Sequence, residues 1–175
     1  MAFIGEIGTM KKYFPVIHIL KAMAFDFDSL NYTVQSTIDI DNGSVFSINT
    51  EVKDGIGKVS IPKNGELNNL WMANSIIPFP KRGWDKDYLH NNKANEPFDA
   101  IKLTPHDIIY LSENGIMGKK KLEYVQAVDQ SYKLKWSNDK SKDVLTLKYI
   151  KKRIITTEDY TNTKILGYRF MVVGN

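Results

Sequence analysis

At 175 residues and 20.1 kDa, the chain is long enough for one well-buried core and too short for two ordinary domains, so a single domain spanning 1–175 is expected. It is 42% hydrophobic and 25% charged, an ordinary globular balance, and no apolar run approaches the roughly 18 residues of a membrane-spanning helix. A net charge of +4 and a pI near 9.0 permit contact with acidic surfaces without calling for nucleic acid, and the absence of cysteine excludes disulfides, thiolate metal sites and cysteine nucleophiles.

The first patterned stretch is MKKYFPVIHILKAMA at 10–24. Two lysines, an apolar run and an Ala-x-Ala ending imitate a secretory leader. Pro15, His18 and Lys21 interrupt the apolar part, however, and nine residues including Glu6 precede Met10. The stretch is therefore expected to be a retained strand, and the protein cytoplasmic or exported without a signal peptide. YFPVIHIL is rich in β-branched and aromatic residues, with Pro15 at a strand start, edge or bulge. In the following MAFDFD, Met23, Phe25 and Phe27 alternate with Ala24, Asp26 and Asp28.

Turn signals then recur: DNG at 41–43, DG at 54–55, NG at 64–65, ENG at 113–115 and SND at 137–139. Runs with a two-residue period lie between them. Phe46, Ile48, Thr50 and Val52 alternate with Ser47, Asn49 and Glu51; Tyr132, Leu134 and Trp136 with Lys133 and Lys135; Leu145, Leu147 and Tyr149 with Thr146 and Lys148. Half-buried antiparallel strands read this way. One segment has a helical period: Leu67, Leu70 and Trp71 follow a capping Asn64, which predicts a short helix over about 65–74. From Ile76 to Ala100 the periodicity lapses, and a long loop is predicted over about 76–100. The expected fold is mainly β, an antiparallel barrel or sandwich with one flanking helix.

Candidate chemistry is sparse. His18, His90 and His106 are too dispersed for a local metal site, and DIDNG at 39–43 departs from the calcium-loop pattern, so a hairpin turn explains it better. Asp26 and Asp28 would lie about 6 to 7 Å apart on one strand face, a spacing that glycosidase carboxylates also have, but no matching acid is evident elsewhere. No nucleophile elbow, P-loop or dinucleotide fingerprint is present, so neither an enzyme nor a cofactor is expected. Trp84, Phe79 and Tyr88 in the long loop could stack on sugars or bases, pin the loop to the barrel, or fill a neighbouring subunit's pocket. The second half is lysine-rich, and Lys133, Lys135 and Lys148 mark a face that is either solvated or an electropositive groove.

The segment KKLEYVQAVDQSYKLKWSNDKSKDVLTLKYIKKRI at 120–154, KKYFPVIHILKAMAFDFD near the start and GELNNLWMAN in between resemble, in strand order and pattern, the Hcp (TssD) tube proteins of type VI secretion systems and the tail-tube-like proteins of phages. The loop from Ile76 is longer than such proteins usually carry. The resemblance implies a structural β-barrel that closes into six-membered rings and stacks into a hollow tube carrying effectors, with sheath or baseplate proteins as further partners. It implies subunit or stacking contacts at Phe3, Ile4, Phe79, Trp84 and Tyr88, and a lumen or basic face at Lys133, Lys135 and Lys148. The alternative is a monomeric barrel or sandwich that binds a glycan or small ligand.

Overall fold

A computed structural model of the protein describes residues 17–21, 31–53, 55–75, 91–118, 122–156 and 164–175. Twelve strands are defined among them: β1 Ile17–Lys21, β2 Asn31–Gln35, β3 Val45–Lys53, β4 Ile56–Ser60, β5 Trp71–Ala73, β6 Pro97–Lys102, β7 Ile108–Ser112, β8 Ile116–Met117, β9 Tyr124–Gln126, β10 Leu134–Ser137, β11 Thr146–Thr156 and β12 Lys164–Gly174. The fold is mainly β, as the two-residue periods predict. Strands β2-β4-β3-β5-β6 close into a barrel, and β1-β7-β12-β11-β9-β10-β8 form a seven-stranded sheet. Most pairings are antiparallel; β2 with β4 and β10 with β8 are parallel.

Two apolar clusters hold these layers. The barrel interior contains Val34, Ile40, Phe46, Ala73, Phe98 and Ala100. The larger cluster lies between the outside of the barrel and one face of the sheet, with Val45, Met72 and Ile101 on the barrel side and Leu111, Val125, Leu134, Trp136, Leu147, Phe170 and Val172 on the sheet side. Adjacent residues therefore serve different cores: Val45 faces the sheet and Phe46 the lumen, both fully buried, because successive strand side chains point to opposite faces. Main-chain bonds tie the layers as well, from Val45 N–H to the Tyr132 carbonyl at 2.8 Å and from Leu145 N–H to the Leu67 carbonyl at 2.5 Å. The Asn175 carboxamide adds three more, accepting from Leu70 N–H and donating to the Leu70 and Leu103 carbonyls.

The helix expected over 65–74 is replaced by two successive turns and a strand. Glu66 N–H donates to the Lys63 carbonyl and Asn69 N–H to the Glu66 carbonyl, both three-residue returns. Leu67 and Leu70 still face the core together, so the apolar spacing was informative while its helical interpretation was not. Gly65 sits at φ +90, a left-handed conformation that breaks a helix at its first turn. Asn64 N–H is held by Asp129 Oδ1 at 3.0 Å, and Trp71–Ala73 pairs with both β3 and β6. Among the described residues the helical piece is a single 3-10 turn, Glu113–Gly115. The loop predicted to reach Ala100 also ends early. Asn92 bridges Ile40, and Pro97 opens β6, where its missing N–H leaves the ladder intact.

A polar clip closes the approach to β6. Asp39 accepts from Ala94 N–H at 2.9 Å, from the Asn91 amide at 3.0 Å and from Lys93 Nζ at 3.3 Å. These contacts, the Ala94 amide foremost, hold its carboxyl below the ordinary 3.8. A depressed carboxyl favours the folded state above the unfolded value, and that contribution disappears as pH falls through the folded value. The melting-temperature gap between the native protein and Asp39→Asn is accordingly expected to be open at about pH 6 and to close at pH values under about 3.8, as calorimetry across that range would show.

Candidate binding cleft

At one end of the barrel Trp71 opens β5, Lys102 closes β6 directly opposite it, and Tyr32 lies near the start of β2. The Tyr32 and Trp71 rings are 5.9 Å apart and tilted at 53°. Trp71 is half-buried: its indole packs against the lumen cluster while remaining partly open to solvent. The adjoining turns from Lys63 to Asn69 wrap past this end and leave an open cleft of about 540 Å³. Its apolar floor is Ile48 and Trp71. Ser47 and Asn49 of β3, Ser60 of β4, and Lys63, Glu66, Asn68 and Asn69 of the turns form its walls.

The local sequence explains this geometry. The period-two pattern of β3 and β4 sends Ile48 inward and Ser47, Asn49 and Ser60 toward the rim. The turn-forming run KNGELNN supplies short polar side chains above them. Ser47 Oγ donates to Glu66 Oε2 at 3.0 Å, and Lys102 Nζ donates to Asn69 Oδ1 at 2.5 Å, fixing both walls. Amides, hydroxyls, one carboxylate and one ammonium beside an indole offer donors and acceptors of every kind around an apolar surface. Among the described residues no three histidine, aspartate or glutamate side chains converge as a metal-ligand set.

Of the site residues singled out from the sequence, those that are described do not line this cleft. Phe3, Ile4, Phe79, Trp84 and Tyr88 lie outside the described residues, as do Asp26, Asp28 and His90. His106 occupies an exposed turn at φ +79, and His18 sits on β1 in register with Tyr110. Lys135 and Lys148 are exposed and share one face of the seven-stranded sheet, since both alternate with core residues: Trp136 pairs with Val125, and Val125 with Leu147. Lys133 precedes β10, and its Nζ donates to the Asn114 carbonyl at 3.2 Å. Lys148 faces Glu123 at 3.8 Å with both side chains about half exposed, a pairing that contributes roughly 0–1 kcal/mol. The cleft itself was missed because Trp71 read as one member of a helical stripe; the readable signal was an aromatic residue directly behind an Asn-rich turn.

Two environments near the cores alter titration. Tyr168 donates to Glu113 Oε1 at 3.1 Å, and burial together with the Glu113 charge pushes its hydroxyl up to about 12. Burial raises half-buried Asp41 above the ordinary carboxyl value, with Lys133 partly opposing it.

Searches against protein-family models, curated proteins and solved structures find no match to this chain.

Proposed function

We propose that this chain is a non-enzymatic binding module whose cleft at the end of the barrel holds a glycan or a similarly polyhydroxylated small ligand. The observation that carries this reading is the half-buried indole of Trp71 set among Ser47, Asn49, Glu66 and Asn69 in a cleft of about 540 Å³. Sugar rings present an apolar C–H face and a periphery of hydroxyls that both donate and accept. An aromatic floor takes the first and short amide and carboxylate side chains the second. On a glycan array the native protein is expected to retain a subset of glycans. Trp71→Ala is expected to weaken the best of them at least about tenfold, equivalent to roughly 1.4 kcal/mol, and unfolding midpoints would verify that the variant remains folded. Binding that survives Trp71→Ala unchanged, or an array with no bound glycan, would remove this reading.

A second reading keeps the resemblance of 120–154 to the tube proteins. Its support is that the described residues of this segment, 122–154, include the strands β9, β10 and most of β11, in a sheet beside a closed barrel. A ring of six would weigh about 120 kDa by the closure logic of cyclic assemblies. Light scattering that returned a monomer at every concentration would end that reading and leave the first untouched.

A further inference from the structure

The face of the seven-stranded sheet that points away from the core carries a second group of polar residues. Arg169 lies between Tyr168 and Phe170 on β12, and both of those enter the core, so its side chain takes the outer face. Lys151 of β11 is directly opposite Arg169, and Arg153 follows two residues on, opposite Gly167. Opposed side chains on paired strands have their Cβ atoms about 4.5 to 5.5 Å apart, and a two-residue step adds about 6.6 Å. Three cationic side chains therefore issue from one small patch. Like charges in direct opposition destabilise a sheet, and the usual remedy is a neighbouring carboxylate. Among the described residues the ion pairs are Lys93 with Asp39 and Lys148 with Glu123, and neither belongs to this patch.

The packing around these cations is specific. The Tyr110 ring, fully buried, lies across Gly167, where an added Cβ would come within 2.6 Å of the ring's Cζ. Its hydroxyl donates to the Ile165 carbonyl at 3.1 Å. The Arg153 guanidinium sits 6.0 Å from the ring centroid, within cation–π reach, which positions one planar fork. The other fork belongs to Arg169, whose Nε is buried and has no hydrogen-bond acceptor. An orphaned buried guanidinium donor is uncommon in a native structure and calls for an acceptor, of which a bound ion or water is the usual kind.

We infer that Lys151, Arg153 and Arg169 form a binding site for a tetrahedral oxyanion of the phosphate or sulfate type, seated on the outer face of β11 and β12 beside Tyr110. Two guanidinium forks match the oxygen geometry of such a group bidentately, and the ammonium completes the neutralisation of a dianion. The site is independent of the Trp71 cleft, which opens at one end of the barrel.

Calorimetric titration at low ionic strength with inorganic phosphate, and separately with phenyl phosphate, tests it. The native protein is expected to bind at least one of them. Arg169→Gln and, in an exposed position less prone to folding defects, Arg153→Gln should each weaken binding at least about tenfold. Lys135→Gln, elsewhere on the same sheet face, should leave it unchanged. Tighter binding of phenyl phosphate assigns the site to an esterified group, and equal or tighter binding of the inorganic ion to the free anion. Thermal unfolding supplies an independent readout. Added phosphate should raise the native melting temperature and not that of Arg153→Gln. No binding of either probe, equal binding by the native protein and both arginine variants, or an equal loss in Lys135→Gln would overturn the assignment.

Discussion

Trp136→Ala is expected to lower the stability of the protein by about 3–5 kcal/mol, the range for removing a large aromatic side chain from a packed core. Trp136 is 8% exposed and stands where three strands converge. Its ring meets Tyr168 edge-on at 5.2 Å, Phe170 at 5.8 Å and Tyr149 edge-on at 6.4 Å. Tyr149 also contacts Tyr168 and Phe170 across the β11–β12 pair at 5.9 and 6.3 Å, and those two meet along β12 at 6.3 Å. Each such aromatic pair contributes about 0.5–1.5 kcal/mol beyond the area it buries, so alanine would lose three pairs and open a void that β10, held on one side by β9 and on the other by the short β8, can close only in part. Trp136→Phe should recover more than half of the loss. Urea unfolding measures both variants, with an unchanged slope required for the comparison. A loss under about 1 kcal/mol for the alanine variant would mean that the aromatic group is not what joins these strands.

The same strands show what a sequence pattern can and cannot reveal. Leu134 and Trp136 are buried while Lys135 is exposed, as a two-residue period requires, but Thr146 is buried along with Leu145 and Leu147, its hydroxyl held near the Ser141 and Val144 carbonyls. Tyr132, read as the companion of Leu134 and Trp136, packs instead against the barrel-lumen cluster, because the chain has left the strand there. Beyond Tyr149 the alternation of β11 fails: the register slips between Tyr149 and Lys151, and a bulge of one residue exchanges the faces of everything after it. Val45 beside Phe46 presents the opposite problem. Where a strand is covered on both sides, apolar residues become consecutive and the period disappears.

The pairings that define the architecture were less legible. Turn signals predict which strands are joined by a short hairpin, and β3 with β4, meeting through Gly55 at φ +80, is of that kind. They are silent on β1 pairing with β7, or on β12 lying between β7 and β11, because those contacts join segments far apart in the chain. Pattern alone left barrel and sandwich as alternatives, and the chain uses a closed barrel packed on a second sheet. Both candidate sites depend on this non-local assembly. The turns beside Trp71 are tied to a distant segment by the bond from Asn64 N–H to Asp129, and Lys151 meets Arg169 only through the β11–β12 register.

Gly167→Ala is expected to be among the most damaging small substitutions in the described residues, with a loss of about 1–3 kcal/mol or more for forcing atoms into a filled site. The backbone at Gly167 is ordinary for a strand, so the constraint is steric. An added Cβ would lie 2.6 Å from the Leu111 carbonyl oxygen and 2.6 Å from both Cζ and the hydroxyl oxygen of Tyr110. The Tyr110 ring has some way to yield, as a side chain, although it is fully buried. The carbonyl has none, because Gly167 is in register with Ser112 and Tyr168 with Leu111 in the β7–β12 ladder. Gly57 makes a useful contrast: the nearest atoms to its added Cβ are side-chain atoms of Ile48 and Tyr32 at 2.6 and 2.7 Å rather than backbone, so Gly57→Ala should be the milder change. A double-mutant cycle separates the two parts of the clash at Gly167. Combining Gly167→Ala with Tyr110→Ala removes the ring and leaves the carbonyl, so the added methyl should still destabilise the Tyr110→Ala protein, though by less than it does the native one. If the penalty vanished in the double variant, the ring alone would set the requirement for glycine; if Gly167→Ala unfolded at the native midpoint, β7 and β12 would have room that their close approach denies. Displacement of the Tyr110 ring by the added methyl group should also release Arg153 from its stacked position, so the variant's phosphate affinity should fall along with its stability.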